Sequence, residues 1–225
     1  MSTPKMVRAE FHMHTHYSSD CSLSFESIVT VARKRGLDAL AITDHNRYEG
    51  ALALQRNAPL AIVPSEEIRA LEGELIGYYL KEEIPRGLSA SETAGRIREQ
   101  GGLVCVPHPF DRLRRSRLRL DALLELAERG LIDIIEVENA RVIFPVDNQK
   151  ARRFAEERGL LMSGGSDAHS APEIGRIHLE LPAFDDASSL REALRAARII
   201  GRPSHPLVHV VTIWEKWRKR RRKMR

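Results

Sequence analysis

Seven short apolar runs, VRAEFHMH, ALAITD, LAIVPSEE, ELIGYYL, GLVCVPH, IDIIEVEN and GLLMSGGSD, punctuate this chain and leave few folds open to it. Each has the length of a strand. Between them lie SFESIVTVARKRG, SETAGRIREQGG, DALLELAERG and NQKARRFAEERG, which place apolar residues at helical spacing and end in glycine, a common helix stop. Ser24, Ser91 and Asp121 stand where N-caps are expected, and SSLREALRAARIIG reads as one more helix. Strands alternating with helices build a mostly parallel sheet, so the pattern predicts an α/β chain of seven strands. Periodicity alone does not choose between a closed barrel and an open, doubly wound sheet. With 225 residues and no Pro/Gly-rich boundary, one domain is expected.

The polar residues fall at one place in this pattern. His12 and His14 end the first run, Asp44 and His45 the second, Glu66 and Glu67 the third, His108 a later one, and Asp167 and His169 the last. Sites are built at that end of α/β sheets and barrels because loops from several strands converge there. One histidine at a strand end is usually a satisfied polar group; repetition across five strand ends points to metal. The stretch FHMHTHYSSD, residues 11 to 20, holds three of the nine histidines. His12 and His14 lie two apart and share a strand face, while His16 and Asp20 follow in a loop that reaches a neighbouring ion. Imidazole and carboxylate without thiolate suit zinc, iron or manganese. Cys21 and Cys105 form no CxxC pair, so neither a disulfide framework nor a zinc knuckle is suggested. A GxSxG nucleophile motif is absent, and GGSDAH lacks the GK[ST] ending of a phosphate loop.

The net charge of +5 is unevenly spread. Residues 214–225, WEKWRKRRRKMR, carry eight Lys or Arg against one Glu, which leaves the rest of the chain slightly acidic. This basic C-terminal tail reads first as a solubilising end. Contact with RNA or anionic lipid, or a clamp for polyanionic substrates, are its other readings. No run of eighteen apolar residues occurs, and MSTPKMVRAE lacks the apolar centre of a secretory signal, so a cytoplasmic protein without membrane insertion is expected.

Taken in order, HMHTHYSSD, AITDHN, PSEE, PHPFD and GSDAH resemble the motifs of the polymerase and histidinol phosphatase (PHP) family, from about residue 7 to residue 204. The resemblance implies a distorted, TIM-like barrel of seven βα units filling residues 1–213, with two or three divalent ions (Zn, Mn or Fe) at its C-terminal mouth. Carried over by motif, one ion is held by His12, His14, Glu67 and Asp167, and a second by Asp20, His45 and His169. The third shares Glu67 with His108 and Asn139. Asn139 departs from the family pattern, where histidine is often found; an amide is the weaker ligand, so Glu136 or water could complete that site. Glu10 stands where many members have aspartate, which bears on how the histidines are held. Glu74 is given no ligand role.

That resemblance also implies hydrolysis of a phosphate ester of a small metabolite or nucleotide. Asp44 is expected behind His45 or accepting a proton near the cluster, and His16 as a proton donor or a surface residue. Arg141 and Arg176 are the expected phosphate donors, guanidinium being well shaped for that anion. FDRLRRSRLR, after His108, reads more readily as a solvated loop and helix face. Alternatives to the phosphatase are a nuclease that holds a single strand of RNA or DNA with its tail, a non-catalytic partner-binding module, and an amidohydrolase. His178, in RIHLELP, reads as part of a strand, and oligomeric state is not readable.

Overall fold

A computed structural model describes residues 5–205; the basic tail and His209 lie outside the described residues. In chain order the elements are β1 (Met6–Met13), α1 (Phe25–Lys34), β2 (Ala39–Ile42), α2 (Glu49–Asn57), β3 (Ala61–Arg69), β4 (Glu74–Tyr78), α3 (Ala90–Glu99) and β5 (Leu103–Val106). They continue as α4 (Leu120–Glu128), β6 (Ile134–Asn139), α5 (Pro145–Arg158), β7 (Leu161–Gly165), β8 (Ile177–Pro182), α6 (Ala187–Arg195) and β9 (Arg198–Gly201), with one 3-10 turn at Ala171–Glu173.

All seven expected runs form strands, and β8 and β9 bring the sheet to nine, in the order β7-β6-β5-β4-β3-β2-β1-β8-β9. Strands β1, β2 and β3 run parallel, as do β5, β6 and β7; β4 is antiparallel to both of its neighbours and joins the two blocks. The sheet nearly closes into a barrel where β1 meets the chain leaving β7. There the Asp167 N–H donates to the His12 carbonyl at 2.7 Å and the His14 N–H to the Ala168 carbonyl at 3.0 Å. Gly165 makes this approach possible, since a Cβ on it would stand 2.3 Å from the Cβ of His12.

Inside the curved sheet, Phe11, Tyr78, Cys105, Ile134 and Leu179 form one buried cluster, with the Phe11 and Tyr78 rings edge to face at 5.7 Å. A second cluster fills the layer between sheet and helices, where Ile28, Leu54, Ile97, Leu123 and Phe154 carry the apolar stripes of five helices. Ser24 caps α1 as expected, accepting from the Ser27 N–H. Helix α3 starts earlier than expected, because Ser89 and Glu92 form a reciprocal capping box that Ser91 has no partner to make. Asp121 lies in the first turn of α4 and pairs with Arg119 rather than capping it. The last expected helix also stops short: Arg198–Gly201 pairs antiparallel with β8, placing Ile199 opposite Leu179. Among the described residues no helix is long and apolar enough to cross a membrane.

Candidate metal centre

Eight side chains converge where the strands end: His12, His14, Asp20, His45, Glu67, His108, Asp167 and His169. His45 is partly exposed, at 19% of its side chain, and the other seven are buried. Two of them, His108 and Asp167, take left-handed backbone with φ of 32° and 52°, which turns their side chains inward straight after β5 and β7.

Several donor atoms stand at the separations that ligands of one ion have, although His14 with Asp167 and His108 with Glu67 also lie within hydrogen-bond reach. His12 Nε2 lies 3.6 Å from Glu67 Oε2 and 3.7 Å from Asp167 Oδ1; His14 Nε2 lies 3.5 and 3.2 Å from the same two oxygens. A tetrahedron with metal bonds near 2.1 Å has edges of about 3.4 Å. His12 Nε2 and Glu67 Oε2 are buried and form no hydrogen bond, a cost that a cation between them would remove. The residues therefore fit a divalent ion. Beside this group, Asp20 spans His45 Nε2 at 3.5 Å and His169 Nε2 at 3.4 Å through its two oxygens. On the other side His108 Nε2 lies 3.2 Å from Glu67 Oε1 and 3.9 Å from Glu74 Oε2.

A surrounding layer holds these rings. Glu136 accepts from His12 Nδ1 at 2.9 Å and from the His108 N–H at 2.8 Å, which turns His12 Nε2 toward the centre. Asp44 acts behind His14 rather than in the cluster: it accepts from the Thr15 N–H, the Thr15 hydroxyl and the Ser18 hydroxyl. Ser18 Oγ in turn accepts from His14 Nδ1 at 3.1 Å and from the His45 N–H at 2.9 Å. His169 Nδ1 is held between the Asp167 carbonyl at 2.8 Å and the Arg141 guanidinium at 2.5 Å. Glu10 receives the Ser166 and Gly175 N–H groups at 2.6 Å each, so its hold is on the Asp167 loop and not on the histidines. Burial pushes the Glu10 carboxyl up to about 7.

Electrostatics match this arrangement. Burial opposes charge on Asp167, yet Arg114 and His12 hold its carboxyl well below the ordinary aspartate range. Against the same opposition, His45 and His12 keep Glu67 ionised, and His169 and His45 keep Asp20 so. Burial likewise disfavours charge on His12 and His45, but Glu136 and Asp167 around the first, and Glu67 and Asp20 around the second, raise both well above the ordinary imidazole range. His14 falls to about 3 through burial and the neighbouring His169 and His45 rings. The carboxylates thus create a field that draws positive charge into the centre.

The other expected site residues divide between the rim of the centre, where Asn139 lies 3.4 Å from Asp167 Oδ2, and positions away from it. Asn139 turns its amide nitrogen to Glu136 Oε2 at 3.0 Å, while its oxygen accepts the Arg141 N–H at 2.9 Å. In this orientation it links loops, and Glu74 occupies the place beside His108. Glu74 is buried at the start of β4, and burial together with Glu67 raises its carboxyl. Its sequence signal is an acidic residue opening an otherwise apolar strand. Glu66 faces away and accepts the Ile84 N–H at 2.9 Å. Arg141 is buried at the mouth, 3.6 Å from Glu173, whereas Arg176 reaches the Pro203 carbonyl at 3.2 Å and does not line the cavity. Arg114, in the stretch read as a solvated face, instead meets Asp167 Oδ2 at 2.5 Å with 17% of its side chain exposed. His16 turns to the Leu23 carbonyl and packs at a tilt against Tyr17 and Phe25. A cavity of about 750 Å³ opens over the centre, bordered by His45 and His169 and by Arg69, Arg114, Arg115 and Arg141.

Known proteins share this architecture. The PHP domain model matches residues 10–96, and the PHP-associated model matches residues 145–199. An uncharacterized protein of Methanocaldococcus jannaschii is 35% identical over 198 residues, covering 86% of this chain and 80% of that one. Among solved structures, a two-domain protein from Bacteroides vulgatus described as containing a predicted PHP-like metal-dependent phosphoesterase aligns with a TM-score of 0.71 at 19% identity. The alignment covers 88% of this chain and 66% of that one. PsfC from Pseudomonas syringae aligns with a TM-score of 0.70 at 18% identity, covering 94% and 98%. Those two likenesses concern the fold; together with the domain matches and the close relative, the strand-end cluster makes this chain a member of the PHP family.

Proposed function

We propose that this protein is a metal-dependent phosphoesterase that hydrolyses a phosphate ester of a small metabolite or nucleotide. The observation that carries the reading is the union of a buried cation-binding cluster with guanidinium groups at one cavity mouth. Its likeness to a Bacteroides vulgatus protein described as containing a predicted PHP-like metal-dependent phosphoesterase agrees with it. His12, His14, Glu67 and Asp167 would hold one ion, and Asp20, His45 and His169 a second. Glu67 and His108 would hold a third with Glu74, where the motif alone suggests Asn139. The donor set suits zinc, manganese or iron. Bound divalent ions supply a water of lowered pKa and neutralise charge on phosphate oxygens.

The chain's own contribution is position. Glu136 and the Asp44–Ser18 pair orient the His12 and His14 rings, so that Nε2 of each faces the centre, where a bound cation would take its lone pair. Arg141 and Arg114 flank the cavity where the oxygens of a phosphate would lie, and a planar guanidinium can grip two of them at once. Asp167 is shared between the cluster and Arg114, which ties anion recognition to the same loop that binds cation.

Elemental analysis of purified protein, run beside turnover of an aryl phosphate with added manganese, zinc or iron, tests the reading. Two or three metals per chain with turnover, and loss of both metal and turnover in His14→Ala, are expected. Fully metal-loaded protein that hydrolyses nothing in a broad phosphate ester panel would overturn it.

A further inference from the structure

Two loops bring the same pair of residue types to the mouth. The β5–α4 loop, residues 107–119, contributes Leu113 and Arg114; the β6–α5 loop, residues 140–144, contributes Arg141 and Ile143, and all four line the cavity. Leu113 is 57% exposed and Ile143 39% exposed, so both present aliphatic surface to a cavity whose other lining residues are polar or charged. Neither belongs to the buried core clusters.

The loops are also anchored at several points, which sets where the two side chains stand. Arg112 pairs with Asp147 at 2.7 Å and lies 4.8 Å over the Phe144 ring, stitching one loop to the other. The Ser116 carbonyl accepts the Glu74 N–H at 3.0 Å, and the Arg119 N–H donates to the Glu72 carbonyl at 2.8 Å. Beneath the loop, Gly73 takes a φ of 147°, and a Cβ there would stand 2.3 Å from the Leu118 Cα. Beside Leu113 and Arg114, Arg115 lines the cavity and makes no hydrogen bond or ion pair among the described residues.

An apolar wall next to guanidinium groups, in a cavity of about 750 Å³, recognises a molecule with an anionic end and an apolar body. A flat ring suits it best, because a planar guanidinium stacks on aromatic faces, as Arg112 does on Phe144 even while paired with Asp147. We infer that the alcohol released from the substrate carries a flat, apolar ring that lies against Leu113 and Ile143 with Arg115 over its face. This rests on the phosphoesterase reading and narrows its substrate class: the cleaved bond joins phosphate to a ring-bearing alcohol rather than to a small polyol.

The test compares kcat/KM for 2-phenylethyl phosphate and for glycerol phosphate, both esters of alkyl alcohols, so that intrinsic reactivity is similar. The wild-type protein favours the phenylethyl ester by at least about tenfold, the scale of discrimination an apolar pocket supplies. The Leu113→Ser/Ile143→Ser double variant, matched for metal content, loses that preference, while Met6→Ser at the far end of β1 keeps it. A wild-type ratio near one, or a double variant that retains the preference, overturns the inference alone. No turnover of either ester by metal-loaded protein overturns the phosphoesterase reading and the inference with it.

Discussion

Replacing Gly165 by alanine attacks the seam of the barrel and its mouth at once. The added methyl would lie 2.3 Å from the His12 Cβ and 2.8 Å from its backbone nitrogen. Carbon atoms in contact sit at roughly 3.5–4.0 Å, so the two segments must part by about 1.2 Å or more. No flexible side-chain tip is available to swing aside, because the atoms met belong to the strand itself. Parting also breaks the two hydrogen bonds that close the seam, Asp167 N–H to the His12 carbonyl and His14 N–H to the Ala168 carbonyl. Overpacking costs about 1–3 kcal/mol and each hydrogen bond about 1 kcal/mol, so a loss of about 3–5 kcal/mol is expected. That is a large share of the 5–15 kcal/mol, roughly, that a domain possesses. His12 and Asp167 move apart with the segments, so metal binding weakens further. Gly95→Ala is the matched control: its Cβ would meet nothing within 4 Å in the middle of α3. Helix propensity alone then acts, and stability rises by about 0.5–1 kcal/mol. Urea unfolding of both variants against the parent, with metal content measured alongside, checks the opposite signs. A Gly165→Ala protein within 1 kcal/mol of the parent, roughly the scale of one hydrogen bond, and with unchanged metal content would refute the reasoning.

Three further outcomes are expected. Glu136→Gln removes the carboxylate that orients His12 and receives His108, and weakens metal affinity about 10–100-fold in a chelator competition. Glu74→Ala lowers the number of ions bound per chain by one, whereas Asn139→Ala leaves it unchanged, as elemental analysis reads directly. Ser89→Ala removes the cap of α3 and costs about 1 kcal/mol in urea unfolding without altering metal content.

What the sequence revealed followed the range of each interaction. Runs such as ALAI and LVCV are buried at every position, so composition alone marks them as interior strands. The convergence of His12, His45, His108 and His169 was legible for a related reason: strand ends in such a fold share one rim, and the chain repeats a ligand type at each. Less local facts did not show. Arg198–Gly201 continues the apolar rhythm of α6 and becomes a strand only because β8 offers it an edge. Glu74 reaches the centre through the β3–β4 pairing, in which Arg69 faces it, and nothing in GELIGYYL states that register. Arg114 and Arg176 look alike as letters; the anchoring of residues 107–119 to the β3–β4 turn and to α5 separates them.

The backbone at His108 and Asp167 has a meaning for how this chain can change. Both hold positive φ, a conformation that costs a non-glycine residue of order 1 kcal/mol and that histidine and aspartate tolerate better than most. A lineage selected for stability alone would settle on glycine at both turns. Histidine and aspartate stand there instead, so these two positions are held by what their side chains do, and a drift to glycine would be the earliest trace of a relative that keeps the barrel after giving up its chemistry.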